Sequence, residues 1–369
     1  MEKIWLKSYP QGIQHVLEPS TEVLGSMFDK CCVEFSTKKA FTCDKESVSF
    51  AKSAELVNNF AASLQSLGVE KGDRVAVIMP NLIQYPIAIF AILKIGAIVV
   101  NVNPLYTANE IDYLLEDSGA KVVIALDMMA GKLNELHNKY NVKHVIVTKL
   151  PDLYPFLKRT FINVAIKYLK RINISYNYKA LDFRELVLSN KNTLRAVNVI
   201  PEDIAFIQYT GATTGKPKGA VLLHKNIIAN IAQAHAWIIP QMDFPNNRMV
   251  VIDALPLYHI FALTANLFVF FFLGGENVMV TNPRDVKGMV KTLHHSKFNV
   301  FNGLDTLFSH LLNSSDFIEQ KFPYYIYSIA GGMASRESVM QRWREVTGVN
   351  VSNCYGLSET SPAVTMNKF

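Results

Sequence analysis

Short β-branched apolar runs alternate with stretches of helical periodicity through most of this chain, and this alternation limits the possible folds more than any other feature. Val75 to Met79, Ile98 to Val102, Val122 to Leu126 and His144 to Thr148 have the length and composition of strands buried on both faces. Helical stretches separate them. Leu82 to Ile95 follows the break at Pro80-Asn81, Ala108 to Asp117 starts at Thr107 with Glu110 three residues on as a capping box, and Met129 to Tyr140 completes the set. Two earlier helices are expected at Glu22 to Phe35, where Val23, Met27, Cys31 and Phe35 recur every four residues, and at Ala51 to Leu67, stopped by Gly68. The pattern resumes with strands at Ile204 to Gln208, Ala220 to Leu223, Met249 to Ala254, Asn277 to Thr281, Val300 to Asn302, Ile326 to Ile329 and Asn350 to Cys354. Helices fill the gaps at Asn226 to Ile239, Ile260 to Leu273, Asp285 to His294, Thr306 to Leu312 and Arg336 to Thr347. A doubly wound α/β fold follows, rather than an all-β fold or a bundle, with one α/β layer in 1–149, a second in 201–369 and a connecting segment in 150–200.

Half of the 369 residues are apolar, enough for large cores. The net charge of +6 suits an anionic small molecule or an acidic membrane surface, and with no helix-turn-helix, zinc-finger or RNP pattern a nucleic-acid partner is not expected. Cys31, Cys32, Cys43 and Cys354 lack paired metal-ligand spacing, and adjacent Cys31 and Cys32 make a poor disulfide framework; a reducing, cytoplasmic setting is the expectation. The first residues lack the continuous apolar segment of a signal peptide. Ile260 to Leu273, interrupted by Thr264 and Asn266, is shorter than the ~20 residues a membrane span needs and reads as a buried helix. Leu153 to Leu169 is apolar but carries Lys158, Arg159 and Lys167, with Lys170 and Arg171 just beyond and aromatic residues interleaved. Two readings stand for it: a helix lying on an anionic membrane surface, or a solvated helix packed on the domain edge.

The stretch richest in chemistry is Tyr209-Thr210-Gly211-Ala212-Thr213-Thr214-Gly215-Lys216-Pro217-Lys218-Gly219. Three glycines, three threonines and two lysines in eleven residues supply the N–H groups, hydroxyls and positive charge that hold a polyphosphate. It is not a Walker A loop, because three residues separate Gly211 from Gly215 and Pro217 follows Lys216. The plain alternative is a hairpin tip between two strands. Three more loops follow expected strands: Leu255-Pro256-Leu257-Tyr258-His259, Ser328-Ile329-Ala330-Gly331-Gly332-Met333 and Cys354-Tyr355-Gly356-Leu357-Ser358-Glu359-Thr360. In an α/β fold ligands sit beyond the carboxyl ends of strands, where these loops fall.

In these four loops the chain resembles the adenylate-forming superfamily, and within it the bacterial long-chain fatty acid–CoA ligases. Val69 to Val75, Met79-Pro80-Asn81, Val100 to Tyr106, Thr281 to Asp285 and Gly303 to Phe308 extend the likeness over the whole chain. The resemblance implies the two stacked α/β layers of that family's N-terminal domain. It implies a reaction in which a fatty acid carboxylate attacks the α-phosphate of ATP and coenzyme A then displaces AMP from the acyl-adenylate. It also implies roles. Thr210, Thr213, Thr214, Gly215 and Lys218 would hold the β- and γ-phosphates, with Tyr209, Gly211, Ala212, Lys216 and Gly219 completing the loop. Tyr355 and Gly356 would meet the adenine, and Gly331, Gly332 and Met333 the nucleotide and acyl group. Glu359, with Thr210, would bind Mg²⁺. His259 would stand beside the carboxylate to be activated, with Thr214 and Glu359 as the other catalytic candidates. The helix after His259 would line an acyl tunnel.

Three positions depart from the family pattern: Ala212, Ala330 at the first place of a triple-glycine run, and Asp305 in place of Asn. A β-carbon at a glycine position costs about 1 kcal/mol or more if φ is positive there. The family also continues past the point matching Phe369, with a ribose-binding acid, a hinge and a small domain carrying a catalytic lysine, so the N-terminal domain is expected to be incomplete at its C-terminus. Residues 1–369 alone are accordingly expected not to make acyl-CoA. A separate C-terminal domain or a homodimer is the protein partner to look for, and a degenerate paralogue that binds ligands without turnover is the rival reading.

Overall fold

The computed structural model describes residues 3–134, 139, 142–166, 175–189, 191–211, 215–242, 244 and 248–369. Helix α1 (Leu24–Glu34), strands β1 (Lys39–Cys43) and β2 (Glu46–Ser49) and helix α2 (Phe50–Ser66) come first. The β1–β2 hairpin is unexpected from the sequence. Its turn residues Asp44 and Lys45 take left-handed φ of 47° and 70°, a geometry usually signalled by Asn-Gly, which is absent here.

Then come β3 (Arg74–Ile78), α3 (Gln84–Lys94), β4 (Ile98–Asn101), α4 (Ala108–Ser118), β5 (Val122–Leu126), α5 (Asp127–Ala130), β6 (His144–Thr148), α6 (Phe156–Val164), β7 (Leu181–Asp182) and α7 (Phe183–Leu188). The capping box of α4 forms as expected: the Glu110 N–H donates to Thr107 Oγ1 at 3.3 Å and the Thr107 N–H to Glu110 Oε2 at 2.7 Å. The helix expected over Met129 to Tyr140 is instead α5 plus a 3₁₀ turn at Gly131–Leu133, with residues 135–138, 140 and 141 outside the described set. The basic helix begins at Phe156, three residues after the expected Leu153, and residues 167–174 lie outside the described set.

The hairpin β8 (Ile204–Thr210) and β9 (Lys218–Leu223) leads into α8 (His224–Ile238), β10 (Val250–Asp253), α9 (Ile260–Ala262), α10 (Val269–Phe271), β11 (Glu276–Met279) and α11 (Val286–Ser296). The chain ends with β12 (Val300–Phe301), α12 (Asp305–Leu312), α13 (Ser315–Ile318), β13 (Ile329–Ala330), α14 (Glu337–Thr347), β14 (Ser352–Gly356) and β15 (Ala363–Met366). Strand β13 is displaced toward the C-terminus from the expected Ile326 to Ile329, and Tyr327 makes only an isolated bridge to Val300.

A seven-stranded sheet has the order β7-β6-β5-β3-β4-β8-β9, a five-stranded sheet the order β12-β10-β11-β1-β2, and a smaller one joins β13, β14 and β15. The alternation correctly announced a doubly wound sheet. Along β3, Val75 and Val77 enter the large core while Ala76 and Ile78 enter a second one, so both faces are covered. Sheet membership does not follow chain order: β8 and β9 join the first sheet through β4, whereas β1 and β2 join the second through β11. Strand partners are chosen by non-local pairing, which local periodicity does not encode.

Ile260 to Phe271 forms the expected buried helix, with a π turn over Leu263–Phe268 between α9 and α10. The wider turn frees backbone carbonyls. Asn277 Nδ2 donates to the Asn266 carbonyl at 3.2 Å and Asn302 Nδ2 to that of Ala265 at 3.3 Å, so side chains from the sheet replace the helix's own donors. Among the described residues, no helix is long and apolar enough to cross a membrane.

Candidate functional site

Thr210 ends β8 opposite Lys218 at the start of β9, so the Gly/Thr/Lys stretch is the tip of an antiparallel hairpin. Ala212, Thr213 and Thr214 lie outside the described residues. Gly211, Gly215, Lys216 and Lys218 are exposed, and among the described residues a β-carbon at Gly211 or Gly215 would meet nothing within 4 Å. The ends of the stretch are built differently. Tyr209 Oη donates to Asp117 Oδ2 at 2.6 Å, and Thr210 Oγ1 lies 3.4 Å from the Lys218 carbonyl.

The Leu255 to His259 loop is fixed by residues the sequence reading did not single out as a site. Asn81 Nδ2 donates to the carbonyls of Asp253 and Leu255 at 2.7 and 2.8 Å, and Asn81 Oδ1 accepts from the Leu257 N–H at 2.8 Å. The buried Tyr85 hydroxyl lies 2.6 Å from Asn101 Oδ1 and 2.9 Å from the Leu257 carbonyl. Asn101 then donates to Gln208 Oε1 at 3.1 Å, and Gln208 to the Tyr258 carbonyl at 2.5 Å. This buried chain ties the loop to β4 and to β8 just before the Gly/Thr tip. A signal existed: Asn101 and Gln208 are polar residues inside two otherwise apolar runs, and the register places them side by side.

His259 caps α9, its Nδ1 accepting from the Phe261 N–H at 3.3 Å. In the neutral ring the proton then sits on Nε2, leaving an N–H donor on the other edge. The residue reaches the surface, yet the surrounding protein desolvates the ring and lowers its pKa, favouring this neutral donor form.

Gly331 is buried, and a β-carbon there would come 2.9 Å from Phe261 Cζ and 3.2 Å from the Cys354 carbonyl. Its bareness lets the third loop close on the start of the buried helix and on β14. Gly332 has φ of 77°, a conformation that favours glycine, and Met333 is exposed beside it. Tyr355 is exposed, while Gly356 sits so close to the Pro362 carbonyl that any side chain would collide. Glu359 is exposed on the turn Ser358–Thr360, which packs against β9. Asn230 of α8 holds the strand after this turn, donating to the Ala363 carbonyl at 2.8 Å and accepting from its N–H at 3.1 Å. Each loop thus touches the next: Gln208 to Tyr258, Phe261 to Gly331, Gly331 to Cys354, and the Glu359 turn back to β9.

Two departures now have structural settings. Ala330 lies in β13 and is absent from the positive-φ residues, so its β-carbon costs no backbone strain. Asp305 begins α12 and accepts from the Arg336 N–H and Nε, both at 2.8 Å, with Arg336 Nη2 2.7 Å away. Burial works against its ionisation, but the Arg336 bonds prevail and hold it below the usual carboxylate range. A carboxylate pairs with that guanidinium better than an amide does.

Among the described residues, no group of three or more His, Cys, Asp or Glu side chains could hold a metal ion. A lone exposed carboxylate at Glu359 fits Mg²⁺ of the kind held chiefly by phosphate oxygens and water. An apolar crevice of about 20 Å³, lined by Ala234 and Ile238 of α8, Thr264, Ala265 and Val269 of the buried helix, and Met366, lies behind the loops. It is too small to take an acyl chain as it stands.

The sequence matches the AMP-binding enzyme family over residues 28–369. A long-chain-fatty-acid–CoA ligase of Escherichia coli O157:H7 is 42% identical over 374 residues, and one of Haemophilus influenzae 43% over 370. The matches take in 100% and 99% of this chain, which spans 66% of the length of each of these relatives. Among solved structures, an anthranilate CoA ligase in complex with anthranoyl-AMP superposes with a TM-score of 0.81 at 19% identity, over 95% of this chain and 63% of that one. A long-chain-fatty-acid-CoA ligase from Archaeoglobus fulgidus gives 0.79 at 21%, over 97% and 68%. These likenesses establish the fold.

Proposed function

Because the chain belongs to the family of AMP-binding enzymes, we propose that its four-loop rim activates a long-chain fatty acid with ATP, forming an acyl-adenylate that coenzyme A converts to acyl-CoA. In the first step a carboxylate oxygen forms a bond to the α-phosphorus and the bond to the bridging oxygen breaks, releasing pyrophosphate. In the second, the thiol sulfur bonds to the acyl carbon, AMP leaves and the thiol proton passes to solvent. The observation that supports this reading is the run of contacts from Gln208 to Tyr258, Phe261 to Gly331, Gly331 to Cys354 and the Glu359 turn to β9, beside which Lys218, His259 and Glu359 are exposed. Lys218 and the N–H groups of Gly211 and Gly215 are suited to the β- and γ-phosphates, and His259 Nε2–H to orienting the fatty acid carboxylate. Tyr355 offers an exposed ring for the adenine. Mg²⁺, held by Glu359 with Thr210 alongside, would supply charge neutralisation at the phosphates. The acyl chain would enter by opening the crevice between α8 and the buried helix. The rival reading, binding without turnover, gains nothing from Ala330 or Asp305, whose settings are unstrained.

The test is direct. Lys218→Ala and Glu359→Ala are each expected to weaken Mg·ATP binding, measured by calorimetry, by at least ~1 kcal/mol, the worth of a charge-assisted contact. Unchanged affinity in both removes the phosphate-loop assignment. Separate assays of pyrophosphate release and oleoyl-CoA formation with oleate then show which step residues 1–369 perform.

We further propose an anionic membrane surface as a partner, supported by α6. Phe156, Leu157, Phe161 and Val164 are 67, 81, 72 and 50% exposed, and they share one side of the helix. Residues 149–180 carry seven Lys or Arg against one acid, Asp152, so the region complements anionic lipid and would repel a second copy of itself. Leu157→Glu with Phe161→Glu is expected to lower binding to phosphatidylglycerol vesicles at least about tenfold, since each lost insertion forfeits roughly 1.5–3 kcal/mol. Equal sedimentation of both proteins with the vesicles would leave the solvated-helix reading in place.

A further inference from the structure

The Gly/Thr/Lys tip is held from outside its own hairpin. Helix α4 presents Tyr113 and Asp117, four residues apart and therefore on one face. On the β8 arm, Tyr209 Oη donates to Asp117 Oδ2 at 2.6 Å. On the other arm, Tyr113 Oη donates to the Pro217 carbonyl at 3.0 Å, and Lys216 Nζ stands 5.1 Å from the centre of the Tyr113 ring. The register puts Gly219 directly across from Tyr209, and a β-carbon there would come 3.3 Å from Tyr209 Cζ and 2.7 Å from Ile207 Cγ2. Gly219 thus seats the ring that reaches Asp117, which gives the last glycine of the motif a task other than approaching a phosphate.

We propose that α4 is the anchor of the phosphate loop, with Tyr113 and Asp117 as positioning residues that fix both feet of the hairpin tip and Lys216 parked on the Tyr113 ring until an anion draws it away. The proposal rests on the phosphate reading for its functional part, and on the two contacts alone for its structural part. With Tyr209 and Pro217 held by α4, these two positions have less freedom to lose when nucleotide binds, so the anchor raises affinity without touching the ligand. The arrangement also makes Lys216 and Lys218 unequal: both are exposed, but Lys216 stands over an aromatic face.

The experiment pairs hydrogen exchange with binding. In nucleotide-free protein, Tyr113→Phe, which keeps the ring for Lys216, and Asp117→Ala are expected to speed amide exchange of peptides within 209–219 at least about fivefold, with Tm and the rest of the seven-stranded sheet unchanged. Mg·ATP affinity should fall about three- to tenfold in the same two variants. Asp117→Asn keeps an oxygen for Tyr209 and should stay close to the parent in both measurements. Tyr209→Phe combined with Asp117→Ala should cost no more than either alone. Unchanged exchange in the loop overturns the anchor, as does faster exchange across the whole sheet with a lower Tm, which marks a merely structural role. A loosened loop whose Mg·ATP affinity equals the parent's, while Lys218→Ala loses affinity, also overturns it. Loop exchange that follows α4 while Mg·ATP affinity ignores Lys218→Ala upholds the anchor and removes the phosphate reading instead.

Discussion

Phe271→Ala is expected to cost about 3–5 kcal/mol of folding stability, the range for a fully buried aromatic replaced by a side chain that leaves its space empty. Phe271 ends the buried helix and is inaccessible to solvent. Its ring stacks on Phe28 of α1 at 5.6 Å and on Phe41 of β1 at 5.3 Å, and lies 4.7 Å from Phe50 of α2 and 5.1 Å from Phe90 of α3. Those partners come from the first quarter of the chain, so one side chain joins the early elements to a helix some two hundred residues later. Aromatic pairs of this kind add stability beyond the area they bury. Total stability of a domain is only about 5–15 kcal/mol, so the loss would be conspicuous in a urea titration. Phe271→Leu retains most of the volume and should lose less than half as much. A change below about 1 kcal/mol for the alanine variant would mean the cluster is not the joint between these elements.

A comparable effect is expected from pH through Asp253, which sits at the carboxyl end of β10 with no exposed surface. Desolvation raises its carboxyl pKa from the ordinary 3.8 to about 8, against the opposing hydrogen bonds from Asn277 and Asn266. Asn277 Nδ2 stands 3.1 and 3.3 Å from its two oxygens, and no cation is among the groups that shift it. The folded protein therefore keeps a proton that the unfolded chain releases above its ordinary pKa. Stability from this group is complete below about pH 4 and declines as pH rises toward 8, at up to about 1.4 kcal/mol per unit. Asp253→Asn removes the titration while keeping the shape and a donor. Urea unfolding of both proteins between pH 5 and 8 should show the variant gaining on the parent by about 3 kcal/mol or more across that span. Parallel stability profiles would show that Asp253 is solvated or paired in solution.

The candidate site was partly legible before any coordinates. The four loops were found because glycine, threonine, lysine and a lone acid at strand ends are chemically conspicuous. What could not be read was how those residues divide between ligand and scaffold. Tyr209 and Gly219 lie within the motif yet are engaged with Asp117 and with each other, and His259 uses one ring nitrogen to cap a helix. Asn81 and Tyr85 carry no signature of their own, Asn101 and Gln208 only that of polar residues in apolar runs, and the importance of all four lies in forming one buried network.

By itself the sequence determined the kind and approximate limits of most elements, though not of the β1–β2 hairpin, because side-chain periodicity, capping boxes and glycine stops act over a few residues. It determined that the central strands are covered on both faces, since β3 to β6 are apolar at nearly every position. Only the tertiary structure decided which strands are neighbours. β1 pairs with β11 across more than two hundred residues, and β8 with β4 across about a hundred. Such pairings are set by the competition of whole surfaces for burial, and no local pattern in either strand records its partner.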